Sequence, residues 1–402
     1  MRICGIVAEY NPLHSGHVLH IGETRRRIGE ECAIICCMSG NFVQRGEAAM
    51  LPKHLRAEAA VRGGADLVIE LPAVYSLLSA EGFAAGAIYL LYSLGVMTDI
   101  SFGAECADAE LLCHVADTLL EHRTVQDTLL ELKSGISYAA ARERALYREL
   151  RENAALLSRP NNILAVEYIK ALRRLGSACN IIAVQRTGAE HDAEEISGGF
   201  ASASYIRRRL QLGERDFTGL MPESAQRILT DALERGLALT DTSRLELMML
   251  ARLSGLGAAE LAALPGASEG IENRLLDAIS SCRSTDAMVS AAKTRRYPAA
   301  RIRRMLMCAF LDVPASLSAL PPPYARVLAF NDRGREVLAL TRESSSVPVI
   351  TKPAHIRQLS SRAQEIFEKE VFASALYSLA LPAWKRLPPG DEWRRNPVYV
   401  HP

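Results

Sequence analysis

No apolar run in this chain reaches the roughly 18 residues that a helix needs to cross a bilayer. The opening run, Ile3 to Ala8, is too short for the core of a secretory signal, and Glu9 and His14 keep it from extending further. A cytoplasmic protein with no membrane partner is therefore expected. Among the nine cysteines, Cys4, Cys32, Cys36, Cys37, Cys106, Cys113, Cys179, Cys282 and Cys308, there is neither a C-x-x-C pair nor a paired zinc spacing. An odd number of thiols among apolar neighbours predicts buried, reduced side chains and no metal site. Net charge is only +1, which gives no general reason to expect a nucleic-acid partner and leaves that question to local patches. A Walker loop and an internal repeat are also absent.

What is present is an alternation of short apolar runs with helical spacing. Ile3 to Ala8, Cys32 to Met38, Asp66 to Pro72, Asp99 to Gly103 and Asn180 to Val184 read as buried strands, with helical segments between them. That order predicts right-handed β-α-β units and a mostly parallel sheet over residues 1–215. At 402 residues the chain is long enough for a second unit. From residue 216 to 402 the pattern is mainly helical, with Pro321, Pro322 and Pro323 as a stiff connector and short strands expected at Glu336 to Leu340 and Val347 to Ile350. The Gly and Ser residues after Gln185 predict a mobile loop, followed by a helix that Ser202 or Ser204 can cap.

The densest chemical signal lies in Met1 to Ile21, which reads as strand, loop and helix. His14 and His17 flank Gly16 where the loop becomes the helix. Unpaired N–H groups at a helix start attract anions, phosphate foremost, so two imidazoles at that point predict a phosphate site. A metal is a rival use of paired histidines, but no nearby Asp, Glu or Cys completes a familiar ligand set. A second candidate wall is the polar stretch Ser39 to His54, where Gln44, Arg45 or Lys53 could hold phosphate or carboxylate. Further on, KTRRYPAARIRR places Lys293, Arg295, Arg296, Arg301, Arg303 and Arg304 around Tyr297 with no acidic residue among them. A charge run can be a solvated face; this one also suits an RNA phosphate backbone.

These residues resemble a family. GIVAEYNPLHSGH is similar to the signature of the HIGH-type nucleotidyltransferase superfamily, and SASYIRRRL resembles its second motif. EYNPLHSGH, MSGNFVQRGE, DLVIELP, FGAE, PNNILA and SASYIR, in this order, resemble the bacterial tRNA(Met) cytidine acetate ligase family. The likeness is dense over residues 1–210 and sparser later, at KTRRY and VPVITK. It implies a Rossmann-like HIGH-type nucleotidyltransferase domain at 1–215 and a mainly α-helical, tRNA-binding domain at 216–402.

The resemblance further implies an enzyme that uses ATP and acetate to form N4-acetylcytidine at the wobble position of elongator tRNA(Met), through an acetyl-adenylate, with release of pyrophosphate and AMP. Its nucleotide site would fall on Val7, Ala8, Glu9, Tyr10, Asn11, Pro12, Leu13, His14, Ser15, Gly16, His17, Val18, Leu19 and His20. Gly103, Asn161 or Asn162, Arg186 and Ser204 would complete it. In the activation step acetate attacks the α-phosphorus, which needs alignment and charge compensation and no covalent nucleophile. His14, His17 and Arg207, with Mg²⁺, would supply the charge, and Gly16 would let the backbone approach. Alternatives are an adenylyl- or cytidylyltransferase acting on a small metabolite, and a non-catalytic RNA-binding protein on the same fold. An acetyl-CoA-dependent enzyme is disfavoured, because QRTGAE, Gln185 to Glu190, has Glu where a pyrophosphate loop needs a small residue.

Overall fold

A computed structural model of the chain describes residues 1–186, 200–388 and 391–401. The central strand, β1 (Ile3–Ala8), passes through the loop bearing the two histidines into α1 (Ser15–Ile28), which returns the chain to β2 (Ala33–Ser39). A two-stranded hairpin comes next, β3 (Phe42–Val43) and β4 (Glu47–Ala48), then α2 (Lys53–Arg62) and β5 (Leu67–Leu71). After α3 (Ala80–Ser93) the chain crosses to the other side of β1 and forms β6 (Asp99–Ala104). A set of helices leads to α4 (Pro160–Arg174), β7 (Asn180–Gln185) and, past the segment 187–199, α5 (Ala203–Gln211). The mobile loop expected after Gln185 falls on 187–199, outside the described residues.

β1, β2, β5, β6 and β7 pair in parallel in the order β5-β2-β1-β6-β7. Helices cover both faces, so these strands read as unbroken apolar runs instead of alternating ones; β2 and β5 are buried along their whole length. α1 and α2 pack their apolar residues on one face, with Ile21, Ala57 and Ala60 in the core. α3 and α4 cover the other face, with Ile88, Leu91, Val166 and Ile169. Strand order reverses at β1, between β2 and β6, and the crevice over the carboxyl ends at such a point is where open α/β sheets hold ligands.

Helices dominate beyond residue 215, among them α6 (Ala299–Leu311). Yet the sheet continues there. β8 (Ala325–Phe330) pairs antiparallel with β5, and after α7 (Asp332–Ser344) the short β9 (Val349–Ile350) lies on β8. α8 (Ser361–Ala380) comes after it, and β10 (Val398–Tyr399) closes the edge on β8. Glu336 to Leu340, expected as a strand, is inside α7, whose start Asn331 caps by accepting from the Gly334 N–H at 2.9 Å. A separate short helix, Ala73–Ser76, precedes α3, whose start Ser79 caps by accepting from the Gly82 N–H at 3.4 Å.

The two halves of the sequence also share a buried ionic cluster. Lys53 Nζ lies 2.5 Å from Glu70, 2.9 Å from Glu392 and 3.5 Å from Glu370, and Arg326 bridges Glu392 and Glu70. Burial, then the neighbouring Glu70, pushes the Glu370 carboxyl up to about 8. At neutral pH it keeps its proton, so two cations face two carboxylates. Balance of this kind is what allows charges to remain in a low-dielectric interior. Lys53 is therefore a sheet-edge strut, not the phosphate or acetate ligand anticipated for that loop.

Candidate functional site

A cavity of about 220 Å³ opens over the carboxyl ends of β1 and β6. Of the residues expected to bind nucleotide, Val7, Ala8, Glu9, Tyr10, Asn11, His14, Gly16, His17, Leu19, His20, Gly103, Asn161 and Arg186 line it, as does Arg207. Pro12, Leu13, Ser15, Val18, Asn162 and Ser204 do not, and each is placed differently. Pro12 is preceded by a cis peptide bond from Asn11. Leu13 is core, packed beneath Gly63, and Val18 leans on the same core. The Ser15 hydroxyl donates to Gly219 O at 3.1 Å. Asn162 accepts from the Cys106 N–H and donates to Leu156 O. Ser204 Oγ accepts from Arg207 at 3.3 Å.

The two histidines form the floor. His14 is the N-cap of α1: its Nδ1 accepts the Gly16 N–H at 3.1 Å, while His17 Nδ1 accepts the His14 N–H at 3.2 Å. The reciprocal capping box satisfies two otherwise orphaned donors. With both Nδ1 atoms acting as acceptors, the ring proton of each imidazole sits on Nε2, which becomes a donor to whatever occupies the cavity. A Cβ on Gly16 would lie 3.0 Å from His14 Cε1, so glycine here makes room for the folded-back ring. Tyr10, at φ +45°, presents its ring edge to His17 at 4.9 Å, and its hydroxyl meets Cys36 Sγ at 3.4 Å. A bulky residue in the left-handed region is costly and is tolerated where its surroundings fix it.

The opposite wall is the start of α5. Ser202 caps it, accepting from the Tyr205 N–H at 3.0 Å, and Ser202 and Ala203 line the cavity. Arg207 Nη1 donates to Asn11 O at 2.9 Å, tying the second motif to the first. Two helix N-termini thus converge on one space and their dipoles favour an anion there, although the first-turn N–H groups of α1 are already taken by Leu220 O and by His14. On the third side Arg186 lies along Gly103 and donates to Asn161 Oδ1 at 3.3 Å, while Asn161 Nδ2 donates to Glu105 at 2.6 Å. His20 Nε2 meets Ser101 Oγ at 2.9 Å; burial, with Arg186 and Arg27 nearby, lowers its pKa to about 4.

The β3–β4 hairpin forms the rim, with Gln44, Arg45 and Glu47 on the cavity. Its turn residue Gly46, at φ +79°, sits so close to the backbone of Arg303 and Arg304 that a Cβ would fall 2.7 Å from the Arg303 carbonyl carbon. The α6 end of the basic run, at Arg303 and Arg304, therefore abuts the rim of the cavity. Lys293, Arg295, Arg296 and Arg303 are exposed. Arg296 faces Glu269 at 3.3 Å and Arg303 faces Asp286 at 3.7 Å, so distant acids partly balance a run that has none of its own. Arg301 is tied to Gly266 O and Ser268 Oγ and lies over the Tyr297 ring, and Arg304 is half-buried.

Two further residues matter whose roles the sequence does not reveal, although Glu105 is the last residue of FGAE. Arg56 is buried and donates to Leu51 O, Ser39 O, Gly40 O and Glu9 O, gathering the carboxyl ends of β1 and β2 under the cavity. Glu105 accepts from the N–H groups of Asn161 and Asn162, fixing the start of α4. Both act on backbone groups that only the fold brings together.

A parallel sheet with a cavity at its switch point, floored by His-x-Gly-His at one helix start and walled by a second, defines a nucleotidyltransferase of the HIGH class. The family model for HIGH Nucleotidyl Transferase matches residues 1–387. A relative from Thermosipho africanus, named tRNA(Met) cytidine acetate ligase, is 33% identical, with 100% of each chain covered. Another of that name, from Clostridium kluyveri, is 38% identical over 94% of this chain and 95% of its own. The crystal structure of Thermotoga maritima TmcAL bound with alpha-thio ATP superposes with a TM-score of 0.93 at 30% identity, covering 100% of both chains. The chain belongs to the tRNA(Met) cytidine acetate ligase family.

Proposed function

We propose that this protein is an ATP-dependent acetate ligase that acetylates N4 of the wobble cytidine of elongator tRNA(Met). The observation that carries the reading is the convergence of two helix N-termini, both histidine Nε2 donors and Arg207 on one cavity. Acetate is unreactive toward amines until its hydroxide-like leaving group is replaced. A carboxylate oxygen of acetate attacks the α-phosphorus of ATP, the bond to the pyrophosphate oxygen breaks, and acetyl-adenylate forms. His14, His17 and Arg207 align the phosphates and offset the charge that shifts onto pyrophosphate; donors fixed in advance need no reorganisation during the step. Gln44 and Arg45 on the hairpin are assigned to acetate.

Among the described residues no three His, Cys, Asp or Glu side chains gather to hold an ion. No residue is therefore assigned to Mg²⁺, and no step runs through it. Residues 1–215 are assigned to ATP activation, with the sheet edge completed from beyond that boundary, and the basic run of the 216–402 half to tRNA. The contact between Gly46 and the Arg303–Arg304 backbone supports that division of labour, because it sets an RNA-binding face beside the rim of the activation site. The test is incubation with labelled acetate, ATP and tRNA(Met), scored for N4-acetylcytidine and AMP. Failure with acetate but success with acetyl-CoA would overturn the mechanism.

A further inference from the structure

Transfer of the acetyl group poses a problem that the phosphate-binding groups do not solve. The exocyclic amine of cytosine is a poor nucleophile, since its lone pair is delocalised into the ring, and in becoming an amide it must shed a proton. The leaving group, the phosphate oxygen of AMP, is stable as an anion and needs no proton. A base is required, then, and no acid. This inference rests on the function proposed for the site.

Most titratable groups lining the cavity are unsuited to the task. His14 and His17 use Nδ1 to accept backbone N–H groups and carry their proton on Nε2, which makes them donors. His20 meets Ser101. Burial raises the Tyr10 and Tyr168 hydroxyls, so both stay protonated. Two carboxylates remain among the described lining residues. Glu47 stands half exposed on the hairpin, 3.6 Å from Arg207. Glu9 is different: it comes directly after β1, and its Oε1 accepts the Gln44 N–H at 2.7 Å. Its Oε2 makes no hydrogen bond among the described residues. The groups facing it are Arg45 on the hairpin, Arg56 on α2, Tyr168 on α4 and Arg207 on α5.

We propose that Glu9 is the general base of acetyl transfer. The amine nitrogen attacks the carbonyl carbon of the acetyl-adenylate and the N–C bond forms. The C–O bond to AMP breaks, its electron pair leaving on the phosphate oxygen, and the proton on nitrogen passes to Glu9 Oε2. One oxygen held by the Gln44 N–H fixes the carboxylate, and the other stays available. Burial lifts the proton affinity of Glu9 above that of an ordinary carboxylate, opposed by that N–H and by the three arginines.

The experiment separates the two half-reactions. Acetate-dependent exchange of labelled pyrophosphate into ATP reports adenylate formation, and single-turnover transfer from enzyme-bound acetyl-adenylate to tRNA reports the second step. Glu9→Gln keeps the size of the side chain and its acceptor for the Gln44 N–H. It should slow transfer by about a hundredfold or more, the usual scale of general-base catalysis, and slow exchange by less than about tenfold. Glu9→Asp, which retains a base, should transfer faster than Glu9→Gln. Equal losses in both half-reactions, or a Glu9→Asp enzyme no faster than Glu9→Gln, would overturn the role of Glu9. Wild-type exchange that ignores acetate would instead overturn the adenylate reading, and the base with it.

Discussion

His14 and His17 stack with ring centroids 3.6 Å apart and 25° between their planes, each imidazole closing a hydrogen bond at the start of α1. Capping and phosphate binding are thus two jobs of the same pair, and substitutions can separate them. His14→Asn keeps a good N-cap, so stability should change by less than about 1 kcal/mol, while loss of the Nε2 donor should lower turnover by about a hundredfold. His17→Ala should remain folded and lose activity on the same scale. Urea denaturation and initial rates check both; near-normal turnover in either variant would end the assignment of that imidazole to phosphate.

Gly16→Ala tests the same geometry from beneath. The added methyl would press on His14 at 3.0 Å, and the ring cannot retreat because His17 stacks against it. The expected outcome is a raised KM for ATP with at least tenfold lower kcat/KM and intact far-UV circular dichroism. Unchanged kinetics would mean that the ring moves freely.

The buried cluster predicts a pH dependence with a definite sign. Glu370 ionises near 4.5 in an unfolded chain and near 8 in the fold, where Glu70, Lys53, Arg326, Glu392 and Tyr324 surround it. A raised carboxyl stabilises the fold fully below the unfolded value, and that contribution is lost as pH rises through the folded one. Between about pH 4.5 and 8 the urea midpoint should fall on account of this group. Glu370→Gln, neutral throughout, should flatten the slope in that window, and an equal slope in the variant would show that another group is responsible.

Arg295, Arg296 and Arg303 are exposed, so replacing all three with Ala should weaken tRNA binding and reduce its salt slope by about one per lost phosphate contact. Acetate-dependent pyrophosphate exchange without tRNA should persist. Binding and salt slope that match the wild type would move the RNA surface elsewhere. Arg301 behaves differently: its bonds to Gly266 and Ser268 predict that Arg301→Ala costs stability first.

The buried parallel strands are readable because both faces are covered, which leaves runs such as AIICCM with few polar interruptions. His-x-Gly-His is readable because capping and anion binding depend on local spacing. Lys53 is not. It looks like a loop cation until Glu370 and Glu392, from the last part of the chain, arrive beside it. β8 escapes a sequence reading because ARVLAF sits between a proline connector and a helix and gains its meaning only from pairing with β5. Glu105 ends the FGAE motif and Arg56 lies in none of the motifs, but the roles of both depend on backbone groups from separate segments. Asn161 and Asn162 share one motif, yet the first turn of α4 sends one toward Arg186 and the other toward Cys106.

The joining of β8 to β5 also orders events during synthesis. When residues 1–215 have emerged from a ribosome, the edge of β5 is unpaired and Lys53 and Glu70 lack Arg326 and Glu392. Residues beyond 215 therefore complete the sheet over whose carboxyl ends the cavity opens.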